Sequence, residues 1–313
     1  MDQESLYQES EEIQAQSVEY AQFYALTEGV HLKEITAELL SSAFIKEGQK
    51  QILRKLNRRV FVFTYPSDGL KIKGLISFVS EPQHNPTLLF LRGGNRTFGI
   101  TNPASDLMSV GDYTVITTTY RGGVSEGHDE FGGRDVDDVK NLILFLPELA
   151  KQLDLPFKQE KMFLLGRSRG GMEMFLTLAR FPELQARFAK IVSLSGLLDL
   201  RETIAKRPDM KQMFIDDFGL VVGSNEEQWI SWRDPQLTAS KIDPTLPILI
   251  IQGTDDNRVS LAEGYHMVSQ LQSHGCHVSY LEIKGADHCL ANQDNYVALI
   301  LDWLNIDPKK MVS

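Results

Sequence analysis

The chain has 313 residues, with 32 lysines and arginines against 42 aspartates and glutamates, for a formal charge of −10. That length suits one large α/β domain or two small ones with ample core, and the acidic balance, without a basic stripe, argues against a nucleic-acid partner. Its two cysteines, Cys276 and Cys289, imply neither a disulfide framework nor metal-ligand spacing, and no metal or other cofactor is expected.

The opening MDQESLYQESEE lacks the basic start and apolar run of a secretory signal. No later stretch is long enough to span a membrane, so a cytoplasmic protein is expected. Residues 1–17, rich in Gln and Glu, read as frayed or disordered chain. From Val18 to Leu56 the pattern becomes helical, and ITAELLSSAFI is its clearest amphipathic piece. This N-terminal arm, residues 1–57, is too short for a catalytic domain of its own. It is expected to pack on the body, residues 58–313, or on a partner chain.

In VFVFTYPSDGLKIKGLISFV two β-rich runs flank Pro66-Ser67-Asp68-Gly69, a hairpin signal. PTLLFLRGGN and YTVITTTYRGG read as buried strands, each ending in a glycine turn. A helix over Gly133 to Leu149 starts with Asp135, Asp137 and Asp138, acids that complement the helix dipole. KMFLL is a strand and MEMFLTLARF a helix; KIVSLSG is the next strand. The stretch from Leu198 to Trp232 reads as largely helical, with loop-like RPDM and DDFG. Then come the strand LPILIIQG, a helix from Val259 to Ser273, the strand HVSYLEI and a last helix in CLANQDNYVALILDWL. A hairpin followed by repeated strand–helix units predicts an α/β fold, a mostly parallel sheet with helices on both faces.

Between KMFLL and its helix lies Gly166-Arg167-Ser168-Arg169-Gly170, a G-x-S-x-G pentapeptide. In that setting the serine sits on a sharp, strained turn with its hydroxyl lifted above the sheet edge. Ligands of open α/β sheets bind outside the carboxyl ends of the strands. Ser168 follows one such end, Asp255 and Asp256 another, and His288 the last. A serine hydroxyl needs a base to become a nucleophile, and an imidazole oriented by a carboxylate supplies one. The chain order Ser, Asp, His is that of α/β-hydrolases. Both aspartates fall on one loop, and spacing alone does not separate them. Oxyanion donors are expected from the backbone N–H of Arg169 and from the turn Arg92-Gly93-Gly94-Asn95.

Together GRSRGGM, GTDDNRV, GADH, LRGGN, FGGRDVDDV and RPDM resemble the catalytic domain of the prolyl oligopeptidase family of serine peptidases, over roughly Val60 to Ile306. The resemblance implies the α/β-hydrolase fold, with Ser168 as nucleophile, His288 as base and Asp256 as triad acid. Asp256 is chosen because the family acid stands three residues after a glycine and three before a valine, here Gly253 and Val259. Family peptidases usually carry an N-terminal β-propeller, which the residues before Val60 cannot build. Arg92 stands where a tyrosine or histidine is frequent, and Arg169 where tyrosine, tryptophan or asparagine is. Two guanidinium groups would favour a substrate carboxylate or pair with acids such as Asp216 and Asp217. Phe214, Trp229 and Trp232 fall in the region that helps form the acyl-side pocket, so Arg92, Phe214 and Trp229 are the candidate substrate contacts. At helical spacing the two tryptophans also fit a packing role.

The resulting expectation is a serine hydrolase working through an acyl-enzyme on short peptides or acylated amino acids. A carboxylesterase uses the same groups, and a non-catalytic binding protein on a hydrolase scaffold is the alternative of another class. What restricts access to the site is open between the arm and a second subunit of a homo-oligomer.

Overall fold

The computed structural model describes residues 3–80, 86–290, 293 and 295–305. The chain divides into two compact units, 1–129 with 137–163, and 130–136 with 164–313. Each is described by itself.

The first unit begins with α1 (Gln3–Ala25), β1 (Leu32–Glu34), α2 (Thr36–Ser41) and α3 (Glu47–Lys55). Helix therefore starts at Gln3, where frayed chain was expected as far as Ser17. Tertiary contacts account for this. The Gly99 N–H donates to Ser17 Oγ at 2.9 Å, and the buried Tyr24 hydroxyl donates to the Thr101 carbonyl at 2.9 Å. The arm is not wholly helical either, since β1 pairs antiparallel with β2 (Arg58–Ser67), Leu32 opposite Phe63.

β2 and β3 (Leu70–Val79) form the expected hairpin, with Ser67 paired to Leu70. The loop is only Asp68 and Gly69, at φ 50° and 79°. Both values are positive, as the tightest hairpin turn requires, which is why Asp-Gly stands there. β4 (Thr87–Leu91) and β5 (Thr114–Thr118) are buried at every position and pair in parallel. The strand order in this unit is β1-β2-β3-β5-β4. The next helix, α4 (Asp135–Leu153), brings Asp138 to the buried Arg121, whose Nε and Nη2 donate to its two carboxylate oxygens at 3.0 and 2.7 Å.

β6 (Met162–Arg167) leads into the second unit, which continues with α5 (Arg169–Arg180) and β7 (Phe188–Leu194). After α6 (Leu200–Lys206), α7 (Pro208–Phe218) and α8 (Glu226–Arg233) come β8 (Ile248–Gly253), α9 (Leu261–Ser273), β9 (Val278–Ile283) and α10 (Tyr296–Asn305). The order here is β6-β7-β8-β9, with β7, β8 and β9 parallel. Hydrogen bonds align their carboxyl ends into one rim. The N–H of Ser168 donates to Leu194 O at 3.0 Å, that of Ser195 to Ile251 O at 2.8 Å, and that of Thr254 to Ile283 O at 3.0 Å.

Candidate active site

Ser168 sits at φ 53° and ψ −124° between β6 and α5. A serine there is strained by about 1–3 kcal/mol and persists only because its surroundings fix it. Three backbone bonds do so: Ser168 N–H to Leu194 O at 3.0 Å, Leu197 N–H to Ser168 O at 3.0 Å, and Gly171 N–H to Ser168 O at 2.9 Å. The glycines are needed for space. A Cβ on Gly166 would overlap the Gly170 carbonyl, and one on Gly171 would lie 2.8 Å from Gly196 Cα. The serine side chain makes no hydrogen bond to the start of α5, so it is not spent as a helix cap.

On the loops after β8 and β9, Asp256 and His288 meet. The imidazole Nδ1 lies 2.8 Å from Oδ2 and 3.0 Å from Oδ1 of Asp256. The carboxylate is fully buried and His288 nearly so. The N–H groups of Arg258 and Val259 both donate to Asp256 Oδ1 at 2.9 Å, so the carboxylate is fixed in its own loop before it meets the ring. Asp255 turns elsewhere and accepts from Thr254 Oγ1 at 3.1 Å. Gly253 makes the approach of the two loops feasible, since a Cβ there would lie 2.7 Å from Asp287 O and overlap Ala286 O. No hydrogen bond joins Ser168 Oγ to His288 among the described residues. Catalytic hydrogen bonds of free enzymes are frequently long and tighten in the substrate complex.

The Arg169 side chain is buried. Its Nε donates to Glu173 at 2.8 Å and its Nη2 to Asp135 at 2.5 Å, with the guanidinium 4.6 Å from the Phe131 ring centroid. Burial pushes Asp135 up, but Arg169, the Glu173 side chain and the N–H of Gly132 outweigh it and hold this carboxyl below its ordinary range. Burial and the adjacent Asp135 push Glu173 well above its own. The cluster therefore sets one guanidinium against two buried carboxyl groups, of which Asp135 is the stronger acid. The acids that hold Arg169 are Asp135 and Glu173, in place of the Asp216 and Asp217 suggested by sequence.

The other candidate substrate contacts do packing work. Arg92 is 1% exposed and donates to the carbonyls of Gly93, Phe98, Arg96 and Thr119 at 2.7–3.3 Å. It thereby shapes the turn that holds the half-buried Gly93 and Gly94. Phe214 is 0% and Trp229 5% exposed, in one core cluster with ring centroids 4.9 Å apart. A side chain with no exposed surface packs its neighbours and offers nothing to a ligand. Trp232 alone of that group is exposed, under the Arg180 guanidinium at 4.7 Å. Sequence reading passed over Glu173, although its i, i+4 spacing from Arg169 was a legible pairing signal. It also passed over Asp135 as the ligand of Arg169, for which a separation of 34 residues gives no signal.

Among the described residues no cluster of three or more His, Cys, Asp or Glu could hold a metal ion, and no helix is long and apolar enough to cross a membrane. The sequence profile of the prolyl oligopeptidase family matches residues 104–306, more than half of the chain. An uncharacterized peptidase of Bacillus subtilis, YtmA, is 29% identical over 216 residues, covering 68% of this chain and 80% of that protein. An acylaminoacyl peptidase of Pyrococcus horikoshii is similar in structure, with a TM-score of 0.68 at 18% identity, over 86% of this chain and 46% of that one. This chain thus spans under half the length of that peptidase. The esterase Pf2001 of Pyrococcus furiosus gives a TM-score of 0.58 at 17% identity, over 80% of this chain and 94% of that one. Those two likenesses carry the fold, a mostly parallel central sheet with helices around it. With the family profile they lead to one conclusion: the chain belongs to the prolyl oligopeptidase family and is a serine hydrolase on the α/β-hydrolase fold.

Proposed function

We propose that this hydrolase acts through an acyl-enzyme formed on Ser168, on short peptides or acylated amino acids. His288 is the general base and then the general acid, and Asp256 is its orienting carboxylate. The observation that supports this most is the Asp256–His288 pair, 2.8 Å apart, on the loops of the rim that also carries the strained Ser168 turn. Asp256, an acceptor only, selects the tautomer with the proton on Nδ1 and leaves Nε2 to take the hydroxyl proton. Oγ then attacks the acyl carbon, and the imidazolium returns the proton to the leaving group. Water repeats the sequence on the acyl-enzyme. The backbone N–H of Arg169, one residue after the nucleophile, is the proposed oxyanion donor.

An ester-cleaving role is the second reading, and the likeness to an esterase over 94% of that protein's length favours it. Turnover of aminoacyl-nitroanilides against p-nitrophenyl esters separates the two. Hydrolysis of both supports the peptidase reading, while hydrolysis of esters alone removes it. Fluorophosphonate labelling that is lost in Ser168→Ala tests the nucleophile itself.

A further inference from the structure

The two arginines that sequence reading offered to a substrate carboxylate are both spent internally. A third is not. Arg167, the last residue of β6, immediately precedes Ser168, so one Cα step of about 3.8 Å separates the two backbones. The residue is half-buried. Its Nη2 donates to the Tyr296 hydroxyl at 3.2 Å, at the first residue of α10, and its guanidinium lies 5.9 Å from that ring's centroid. No carboxylate pairs with it among the described residues. Its Nε is buried and has no hydrogen-bond partner.

That combination is unusual for an arginine. Every other arginine considered at this site meets a carboxylate or a set of carbonyls. A guanidinium stays charged throughout the pH range of folded proteins and presents its donors as a planar fork. The Nε is sealed from solvent and out of a ligand's reach, whereas Nη1 makes no hydrogen bond and keeps accessible surface. The partner that matches this open Nη end is an anion, and a carboxylate presents its two oxygens in the geometry of the fork. Tyr296 holds the guanidinium from one side and adds no counter-charge.

We infer that Arg167 binds a carboxylate of the substrate beside the scissile bond, making this a hydrolase selective for acids over their neutral analogues. The inference rests on Ser168 as the nucleophile. The carboxylate has two sources: the acyl group, as in a dicarboxylic half-ester, or the leaving group, as in a peptide with a free C-terminus.

Two substrate pairs tell them apart. Mono-p-nitrophenyl succinate against p-nitrophenyl butyrate places the charge in the acyl group. An N-acetyl dipeptide against its C-terminal amide places it in the leaving group. Wild type is expected to prefer the charged member of one pair by at least about tenfold in kcat/KM, the scale of one charge-assisted hydrogen bond. Arg167→Met and Arg167→Gln should each reduce that ratio to within about threefold of unity, and Arg167→Lys should keep part of it, because the charge remains and the fork is lost. Equal turnover of both members of both pairs by the wild type overturns the inference, whatever the variants do. So does a preference that survives Arg167→Met in protein with a native circular-dichroism spectrum. Fluorophosphonate separates the two levels. A wild type that is not labelled at Ser168 loses the hydrolase mechanism and this inference together, and one that is labelled without charge preference loses this inference alone.

Discussion

Ser168 holds φ 53° and ψ −124° because bonds to Leu194, Leu197 and Gly171 leave the turn no other course. Glycine occupies that region without the steric cost that any side chain incurs. Ser168→Ala should abolish turnover yet keep the strain, while Ser168→Gly should abolish turnover and be more stable than the alanine variant by about 1 kcal/mol, net of glycine's extra unfolded-state entropy. Urea unfolding of the two side by side measures this, and equal midpoints would remove the strain argument. The neighbouring aspartates allow a sharper test. Asp256→Asn keeps an oxygen for the Arg258 and Val259 amides but turns a fixed acceptor toward His288 into an amide able to present the wrong tautomer. A loss on the order of 10³–10⁴ in kcat is expected. Asp255→Asn, which disturbs only a bond to Thr254, should stay within about threefold of wild type. Spacing did not choose between these residues, because both lie on one loop after one strand. Residue-level legibility ended at partners. The chain announces Arg92 and Arg169 as charges near the serine, but whether they face a ligand depends on carbonyls and acids up to 34 residues distant.

Helices make the same point through their ends. In α5 the Arg169–Glu173 pair lies at i, i+4, while Asp135 enters from the start of α4. Since burial and Asp135 disfavour the charged form of Glu173, Glu173→Gln, which keeps an acceptor oxygen for Arg169, should cost about 1 kcal/mol. Asp135→Asn removes the stronger acid beside Arg169 and leaves Glu173 to ionise in its place with fewer donors around it, so it should cost more than Glu173→Gln, on the order of 2–3 kcal/mol. Calorimetric melting of both variants gives the comparison, and comparable losses would contradict that order of acidity. At α6, Glu263 of α9 accepts from the N–H groups of Leu198 and Asp199 at 3.0 and 3.2 Å and from Thr203 Oγ1 at 3.0 Å. Burial outweighs these donors and pushes its carboxyl up to about 8 from an ordinary 4.5. The folded state therefore binds this proton more tightly than the unfolded chain does. The stability it contributes is complete below about pH 4.5, declines as pH rises, and is gone above about pH 8. Glu263→Gln should remove that decline. Unfolding free energies of wild type and variant at pH 5, 6.5 and 8 (about the span of the shift) should differ by an amount that changes with pH. A constant difference would refute the buried neutral acid. Nothing in the sequence marks Glu263, which reads there as an ordinary first-turn acid of α9.

For the molecule as a whole, the strand–helix alternation and the strand-end loops that carry Ser168, Asp256 and His288 were legible because hydrophobic runs, glycine turns and strand-end residues are local features. The sheet order was not, since β5 lies between β3 and β4, and pairing between distant strands leaves no local mark. The arm misled for the same reason. A Gln- and Glu-rich stretch reads as solvated chain, but Ser17 and Tyr24 tie α1 to residues 99 and 101. β1 then continues the arm into the sheet, where Leu32 to Glu34 pair with Phe61 to Phe63 of β2. Deleting residues 1–57, the boundary that composition suggested, would leave the N–H and C=O groups of Phe61 to Phe63 at an open strand edge and uncover the contacts of Tyr24. Such an edge is a template for association with another chain. A chain beginning at Arg58 should therefore melt several degrees lower and elute partly as aggregate in size-exclusion chromatography. A truncated protein that stays in its original elution volume with an unchanged melting temperature would show instead that the arm is dispensable to the body it pairs with.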